Sequence, residues 1–417
     1  MKILVITDSY FFSGSQNIIA NMIKCETLNQ EHRLEFIIPR SRTYVQQFKK
    51  RLSGKHVHYA RVLMPACSHL GQRFSNQKGF SFLKKLVYSG ARLLQGIYVF
   101  LLYDVIRTFM ILKKSKPDLV YINNSGYPAS DFCRASAICA SLISVDFIIH
   151  INNIAVSSND TRWFKRPFEK HIDRIIGKHA RRFILGSKFA ANKLHENRHF
   201  PKEKILNIYN TYTDRKSVSS KRDIRRKKLI AEKALVFGIV GVFDSRKGHK
   251  VFIDAICKIG DILRNTDVVF LVEGRVDEAK ELMDYANRKK APESLVFTGE
   301  FDNIFDFYHM IDVLVLPSLQ NEDFPNVIIE AMSVGVPCVG SRIAGIPESI
   351  RNGHNGCLVE PGDSEELAGV LREIIVNQKV VDLMKINCLK DFEEKFRYEI
   401  ITNKYLELFR QLDRDKI

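Results

Sequence analysis

Short apolar runs that alternate with helical patterns constrain this chain more than any other feature. Lys2-Ile3-Leu4-Val5-Ile6-Thr7 opens the series, and LEFIIP, DLVYIN, DFIIHI and RFILGS follow, each separated by helical or loop sequence. That βα alternation implies a parallel sheet covered by helices. It pauses between Thr211 and Lys233, where Ser and positive charge are frequent and apolar residues few. A second series then runs through LVFGIVG, VVFLVEG, LVFTGE, VLVLPS, PCVGS and GCLVE.

The expected organisation is an N-terminal domain over 1–212, a basic linker over 213–233, a C-terminal domain over 234–385 and a helical segment over 386–417 without site chemistry. A length of 417 residues agrees with two domains, and 45% hydrophobic with 27% charged residues excludes a disordered or fibrous chain. The fold class that follows is α/β, two doubly wound domains facing a central cleft. Ligands of such sheets bind outside the carboxyl ends of the strands.

The formal charge of +17 is unevenly placed. Residues 1–200 carry 31 basic and 12 acidic side chains, whereas 201–417 carry 33 and 35. From Phe36 to Tyr103 there are 12 Lys or Arg and no acid. Such a surface attracts phosphate on a polyanion or an anionic membrane, although charge runs are often solvated faces and nothing more. A nucleic-acid partner is not expected, since no zinc-finger, RNP or helix-turn-helix signature appears.

Leu93 to Leu112 is long enough to span a bilayer, but Gln95, Asp104 and Arg107 interrupt it. Leu94, Ile97, Leu101, Leu102, Val105, Ile106, Phe109 and Met110 follow helical spacing, so a buried amphipathic helix is expected, with an interfacial helix as the alternative. The eight cysteines form no CxxC pair, and Met1 leads directly into a strand-like run. No metal site is expected, and the expected location is the reduced cytoplasm.

The strongest chemical signal is Glu322-Asp323-Phe324-Pro325-Asn326-Val327-Ile328-Ile329-Glu330, which follows VLVLPS and opens a helix. Asp323 is placed as its N-cap and Pro325 in its first turn. Backbone amides of Phe324, Asn326 and Val327 at the positive end of the helix dipole suit a phosphate. Glu322 and Glu330 can flank the same ligand only as acceptors for hydroxyls. The combination describes a nucleotide sugar, with Glu330 on the ribose and Glu322 on the sugar. Earlier in the chain, Gly241-Val242-Phe243-Asp244-Ser245-Arg246-Lys247-Gly248 joins a strand to a helix. A lysine there can neutralise a leaving diphosphate.

GIVGVFDSRKGHKVFIDAI, VFLVEG, VFTGEFDNIFDFY and VLVLPSLQNEDFPNVIIEAMSVGVPCVGSRIAGIPESIRNGHNGCLVEPGD together resemble the nucleotide-binding domain of the family 4 retaining glycosyltransferases, of GT-B fold. KPDLVYINN, HARRFILGSKFAANKL and ILNIYNTYT are similar to landmarks of that family's N-terminal domain. The resemblance implies sugar transfer from a UDP- or GDP-type donor with retained anomeric configuration and no required metal. It implies Lys247 on the diphosphate, Glu322 on the sugar, Glu330 on the ribose, and Gly299 with Glu300 at the nucleobase. Many relatives act on polyprenyl-diphosphate or other lipid-linked glycans at the inner face of the membrane, which implies such an acceptor and a peripheral location.

Three positions depart from the family. Val242 stands where an arginine is usual, so either Arg246 supplies the charge or diphosphate stabilisation is weaker. The N-terminal glycine pair reads Ser13-Gly14-Ser15, which leaves Gly14 and Ser15 for donor contact. The family histidine corresponds to His150 or, with an offset, to Asn152 or Asn153. Lys84, Lys85 and Arg92 beside Phe80, Phe82 and Leu83 are the expected membrane contacts. An epimerase or hydrolase of the same fold and a non-catalytic partner subunit are the competing readings.

Overall fold

In the computed structural model, described outside residues 10–15, 53–56, 63–98, 129, 158–162, 213–216, 218, 265, 276–277, 321 and 416–417, the apolar runs form two parallel sheets. The first has the order β3-β2-β1-β4-β5-β6-β7, from β1 (Lys2–Thr7), β2 (Arg33–Pro39), β3 (His58–Val62), β4 (Leu119–Asn124), β5 (Asp146–Ile151), β6 (Arg182–Leu185) and β7 (Ile205–Asn207). Its central strands are mostly apolar, with polar residues near their ends, and β4 is buried at all six positions, as a sheet covered on both faces requires.

The second sheet has the order β10-β9-β8-β11-β12-β13, from β8 (Leu235–Val240), β9 (Val268–Glu273), β10 (Leu295–Phe297), β11 (Val313–Leu316), β12 (Cys338–Ser341) and β13 (Gly356–Val359). Strand order reverses between β1 and β4 in one sheet and between β8 and β11 in the other. These are the topological switch points.

Compact units follow the sheets, with two differences from the expected boundaries. One unit comprises Met1–Ile208 with Thr402–Ile417, the other Tyr209–Ile401. The basic stretch read as a linker contains the helix Lys221–Lys227, whose Arg225 is buried. The Arg225 guanidinium donates to the carbonyls of Met310, Glu232 and Ala234 and to Asp312 Oδ2 at 2.7 Å. Charge read as part of a linker thus pins the second unit.

The chain end also has a structural part. The helix Tyr398–Arg414 carries Tyr405 and Phe409 into the core of the first unit, where Phe409 packs edge-on against Tyr121 and His32.

The helix Val99–Ser115 corrects the expected burial pattern. It buries Leu101, Asp104, Thr108 and Leu112 and exposes Leu102, Tyr103, Ile106 and Met110. It packs beside the helix Asp131–Leu142, whose buried Ala135, Ser136 and Cys139 accept a narrow contact face. The larger side chains take the other side. Among the described residues no helix is long and apolar enough to cross a membrane.

Candidate active site

Two turns leave the carboxyl ends of β8 and β11 on either side of the switch point in the second sheet. After β8, Asp244 caps the short turn Ser245–Lys247, with Oδ1 accepting from Arg246 N at 3.1 Å. Gly248 closes it at φ 73°, and a Cβ there would stand 1.8 Å from the Pro317 carbonyl oxygen. Only glycine permits that approach. Leu319 N then donates to Arg246 O at 2.7 Å, so the two turns are joined backbone to backbone.

Glu322 is the side chain on which they converge. It is 5% exposed, and Oε1 accepts from Lys247 Nζ at 2.5 Å, Ser318 Oγ at 3.1 Å and Arg246 Nη1 at 3.3 Å. Charge-assisted bonds of this kind are the strong ones. Val242, at the position where an arginine was expected, is exposed beside Gly241, which leaves β8 at φ 145°. Arg246 is therefore the second cation of the cluster. His249, at the following helix start, is buried against Phe243, and burial lowers its pKa to about 4.

The helix after Glu322 runs over Asn326–Met332, and its N-cap is Pro325 (φ −70°, ψ 119°) rather than Asp323. Proline has no amide to satisfy and its ring presets the entry angle, so no side-chain cap is present. Asn326 and Val327 supply amides of the first turn, where no intrahelical acceptor exists. Phe324 anchors the loop from behind, stacked on Tyr209 at 4.8 Å and accepting from Asn210 Nδ2 at its carbonyl.

Inside that helix, Glu330 Oε2 accepts from Tyr308 OH at 2.8 Å. Tyr308 is wholly buried, and burial followed by the Glu330 charge raises its pKa well above the usual phenol value. It remains a donor and orients the carboxylate. Gly299 (φ 77°) and the exposed Glu300 follow β10, two strands from β8. Between them and β8, Glu273 ends β9, where burial raises its pKa and Phe301 N donates to it at 3.3 Å.

In the first unit, Gly14 and Ser15 lie outside the described residues. His150 is corrected to a core residue. It is 1% exposed, with Nδ1 2.7 Å from Tyr121 OH and 3.5 Å from Tyr405 OH, and burial lowers its pKa to about 3. Both tyrosines face Nδ1, and Nε2 is buried without a hydrogen-bond partner. Asn152 is tied to Asn123 Oδ1 at 2.8 Å and to the Asn124 carbonyl. Asn153 is exposed just past the carboxyl end of β5, the place on this strand that a ligand can reach.

Ser318 and Tyr308 were not read from the sequence. Ser318 carried a usable signal, since it ends VLVLPS four residues before Glu322. Tyr308 carried none, because its partner lies 22 residues away on another helix. Among the described residues no group of three or more His, Cys, Asp or Glu side chains could hold a metal.

The fold, two doubly wound parallel sheets, is similar to the GT-B architecture of solved glycosyltransferases. Residues 234–377 match the family model for glycosyl transferases group 1. The chain is 28% identical over 218 residues to N-acetyl-alpha-D-glucosaminyl L-malate synthase of Bacillus anthracis, covering 52% of this chain and 56% of that relative. It thus spans little more than half the length of that relative. It is 25% identical over 324 residues to an Escherichia coli UDP-Gal:alpha-D-GlcNAc-diphosphoundecaprenol alpha-1,3-galactosyltransferase, covering 73% and 78%. Anabaena HepE, solved in complex with UDP, superposes with a TM-score of 0.74 at 19% identity over 99% of this chain and 100% of that one. At that identity the likeness is one of fold.

Proposed function

We propose that this protein transfers a sugar from a nucleoside diphosphate donor of UDP or GDP type to a glycan or polyprenyl-diphosphate-linked acceptor, with retention and without a required metal. The observation that carries the reading is the convergence of Lys247, Arg246 and Ser318 on Glu322 beside the helix start at Asn326. A pyrophosphate over that start offers both cations a more highly charged partner. Glu322 then accepts from sugar hydroxyls, and Glu330, held by Tyr308, from the ribose. The UDP in HepE and the UDP-Gal and diphosphoundecaprenol in the name of the E. coli relative support this donor and acceptor chemistry.

In the proposed step the bond from the anomeric carbon to the β-phosphate oxygen breaks as the acceptor oxygen bonds on the same face. The departing phosphate oxygen takes the acceptor's proton. Lys247, Arg246 and the first-turn amides stabilise the developing charge, so no side chain is needed as general base. The polysaccharide made is of the cell-surface kind, and the reaction takes place on the cytoplasmic side of an anionic membrane.

Two features support membrane docking, namely the basic excess of residues 1–200 and the exposed apolar side of the helix Val99–Ser115. On that helix Arg107 lies over Tyr103 and Lys113 over Phe109. Of the contacts expected from sequence, Lys84, Lys85, Arg92, Phe80, Phe82 and Leu83 lie outside the described residues.

A transfer assay with purified protein, donor sugars and lipid-linked acceptors tests the reading. Lys247→Ala and Glu330→Ala each lower kcat/KM by at least about 100-fold, of the order seen when a transition-state donor is removed. Full activity in both variants refutes the assignment.

A further inference from the structure

Glu273 has no part in the transfer step proposed above, yet it closes the carboxyl end of β9, between the turn that carries Lys247 and the Gly299–Glu300 segment. Side chains along β9 alternate between two cores. Val268, Phe270 and Val272 pack into one, whereas Leu271 joins the other, with Tyr308, Phe324 and Ile328. Glu273, two residues beyond Leu271, therefore lies on the sheet face that carries Tyr308 and the helix Asn326–Met332. Its charge acts on Tyr308, whose hydroxyl donates to Glu330.

The residue is 7% exposed, and its carboxylate has one donor, Phe301 N at 3.3 Å from Oε1. No cation pairs with it among the described residues, and the neighbouring charge that acts on it is that of another acid, Glu300. Burial, then Glu300, raises its pKa. A buried carboxylate is ordinarily paired with a cation or covered by several donors. Holding Phe301 N requires only a neutral acceptor, which a glutamine supplies without a buried charge. Oε2 has no donor among the described residues and is not sealed from solvent. The carboxylate thus has acceptor capacity open at the ligand end of the sheet.

We infer, resting on the transfer reading in which Glu330 holds the ribose, that Glu273 selects the nucleobase of the donor and that this base is guanine. With the ribose at Glu330 and the base along Gly299 and Glu300, the edge of the base falls at Glu273, which lies between them. Guanine presents N1–H and its N2 amino group side by side, two donors for the two oxygens of one carboxylate. Uracil presents a single N3–H between two carbonyl oxygens. The same carboxylate then gains one bond and meets an acceptor on either side of it. A site built to hydrogen-bond a group strongly rejects an analogue that lacks it, because the buried partner is left unpaired.

Calorimetric titration of the full chain with GDP, inosine diphosphate and UDP, at pH 8 and constant ionic strength, tests the inference. Inosine diphosphate is GDP without the N2 amino group. The parent protein binds GDP at least about tenfold tighter than either of the others. Glu273→Gln keeps the size of the side chain and an acceptor for Phe301 N, but its amide NH2 meets the donors of guanine. It lowers GDP affinity at least about tenfold and leaves UDP affinity within about twofold; the retained UDP binding shows that the variant is folded. Three results overturn the inference and leave the transfer reading standing: UDP or inosine diphosphate bound by the parent as tightly as GDP, GDP affinity unmoved in the variant, or GDP and UDP affinities falling together. No heat with any of the three nucleotides overturns both.

Discussion

At the scale of single residues, Gly248 and Tyr308 make the sharpest claims. Gly248→Ala places a Cβ 1.8 Å from the Pro317 carbonyl at a positive φ, so the two turns must part. The expected loss is about 3 kcal/mol of stability or more, together with donor binding, measured by denaturant unfolding and by titration with nucleoside diphosphates. Tyr308→Phe removes one bond to Glu330 and keeps the ring. Loss of about 1 kcal/mol of ground-state binding raises the donor KM roughly fivefold with kcat nearly constant. A fall in kcat at unchanged KM contradicts the assigned role.

Asp104 gives a pH signature. Burial, then the Asp131 charge, raises its pKa to about 7, and its Oδ1 has no hydrogen-bond partner. The folded state holds this proton more tightly than the unfolded chain, so the penalty is absent below the unfolded value near 3.8 and grows until about 7. Asp104→Asn therefore stabilises the protein at pH 8, by up to about 4 kcal/mol, and not at pH 4. Equal Tm differences at both pH values count against it. Lys247 and Glu322 were legible in sequence as charged residues just past two strand ends, and the structure brings them within hydrogen-bond distance of each other. His150 was not, because position along β5 cannot say which face meets Tyr121 and Tyr405.

At the scale of elements, most strands were legible, since continuous apolar runs between helices have few other uses, whereas β3, an edge strand with three of its five residues exposed, shows no such run and was not read. The helix Val99–Ser115 was legible as a helix but not in its facing. Apolar residues cover most of its circumference, so periodicity does not choose between Leu101 and Leu102. The choice is made by the small residues of the helix Asp131–Leu142. Leu102→Ser/Ile106→Ser/Met110→Ser is expected to abolish co-sedimentation with anionic vesicles while leaving soluble-acceptor turnover intact, and binding of the parent chain falls as salt rises. Equal binding by parent and triple variant removes this helix from the docking surface. The Lys221–Lys227 helix was hidden for a different reason. A buried Arg225 with carbonyl partners looks in sequence like any other residue of a basic run.

At the scale of the whole molecule, two sheets, their parallel sense and a site at the carboxyl ends in the second unit all follow from the order of apolar runs. Unit membership of the chain end did not follow. Thr402–Ile417 returns to the first unit through Tyr405 and Phe409, which long-range packing decides and local pattern does not. Truncation after Ile401 is expected to expose the core around Tyr121 and His150 and to cost the first unit its cooperative unfolding, whereas Tyr405→Ala costs about 3–5 kcal/mol. Differential scanning calorimetry shows which transition moves. The central claim, that the turns after β8 and β11 together hold a pyrophosphate, is tested most directly by calorimetric titration of parent and Lys247→Ala proteins with UDP and GDP. The account predicts saturable binding of one nucleotide by the parent, weakened at least about tenfold by the substitution with Tm unchanged. No heat with either nucleotide, or equal affinity in the two proteins, contradicts it.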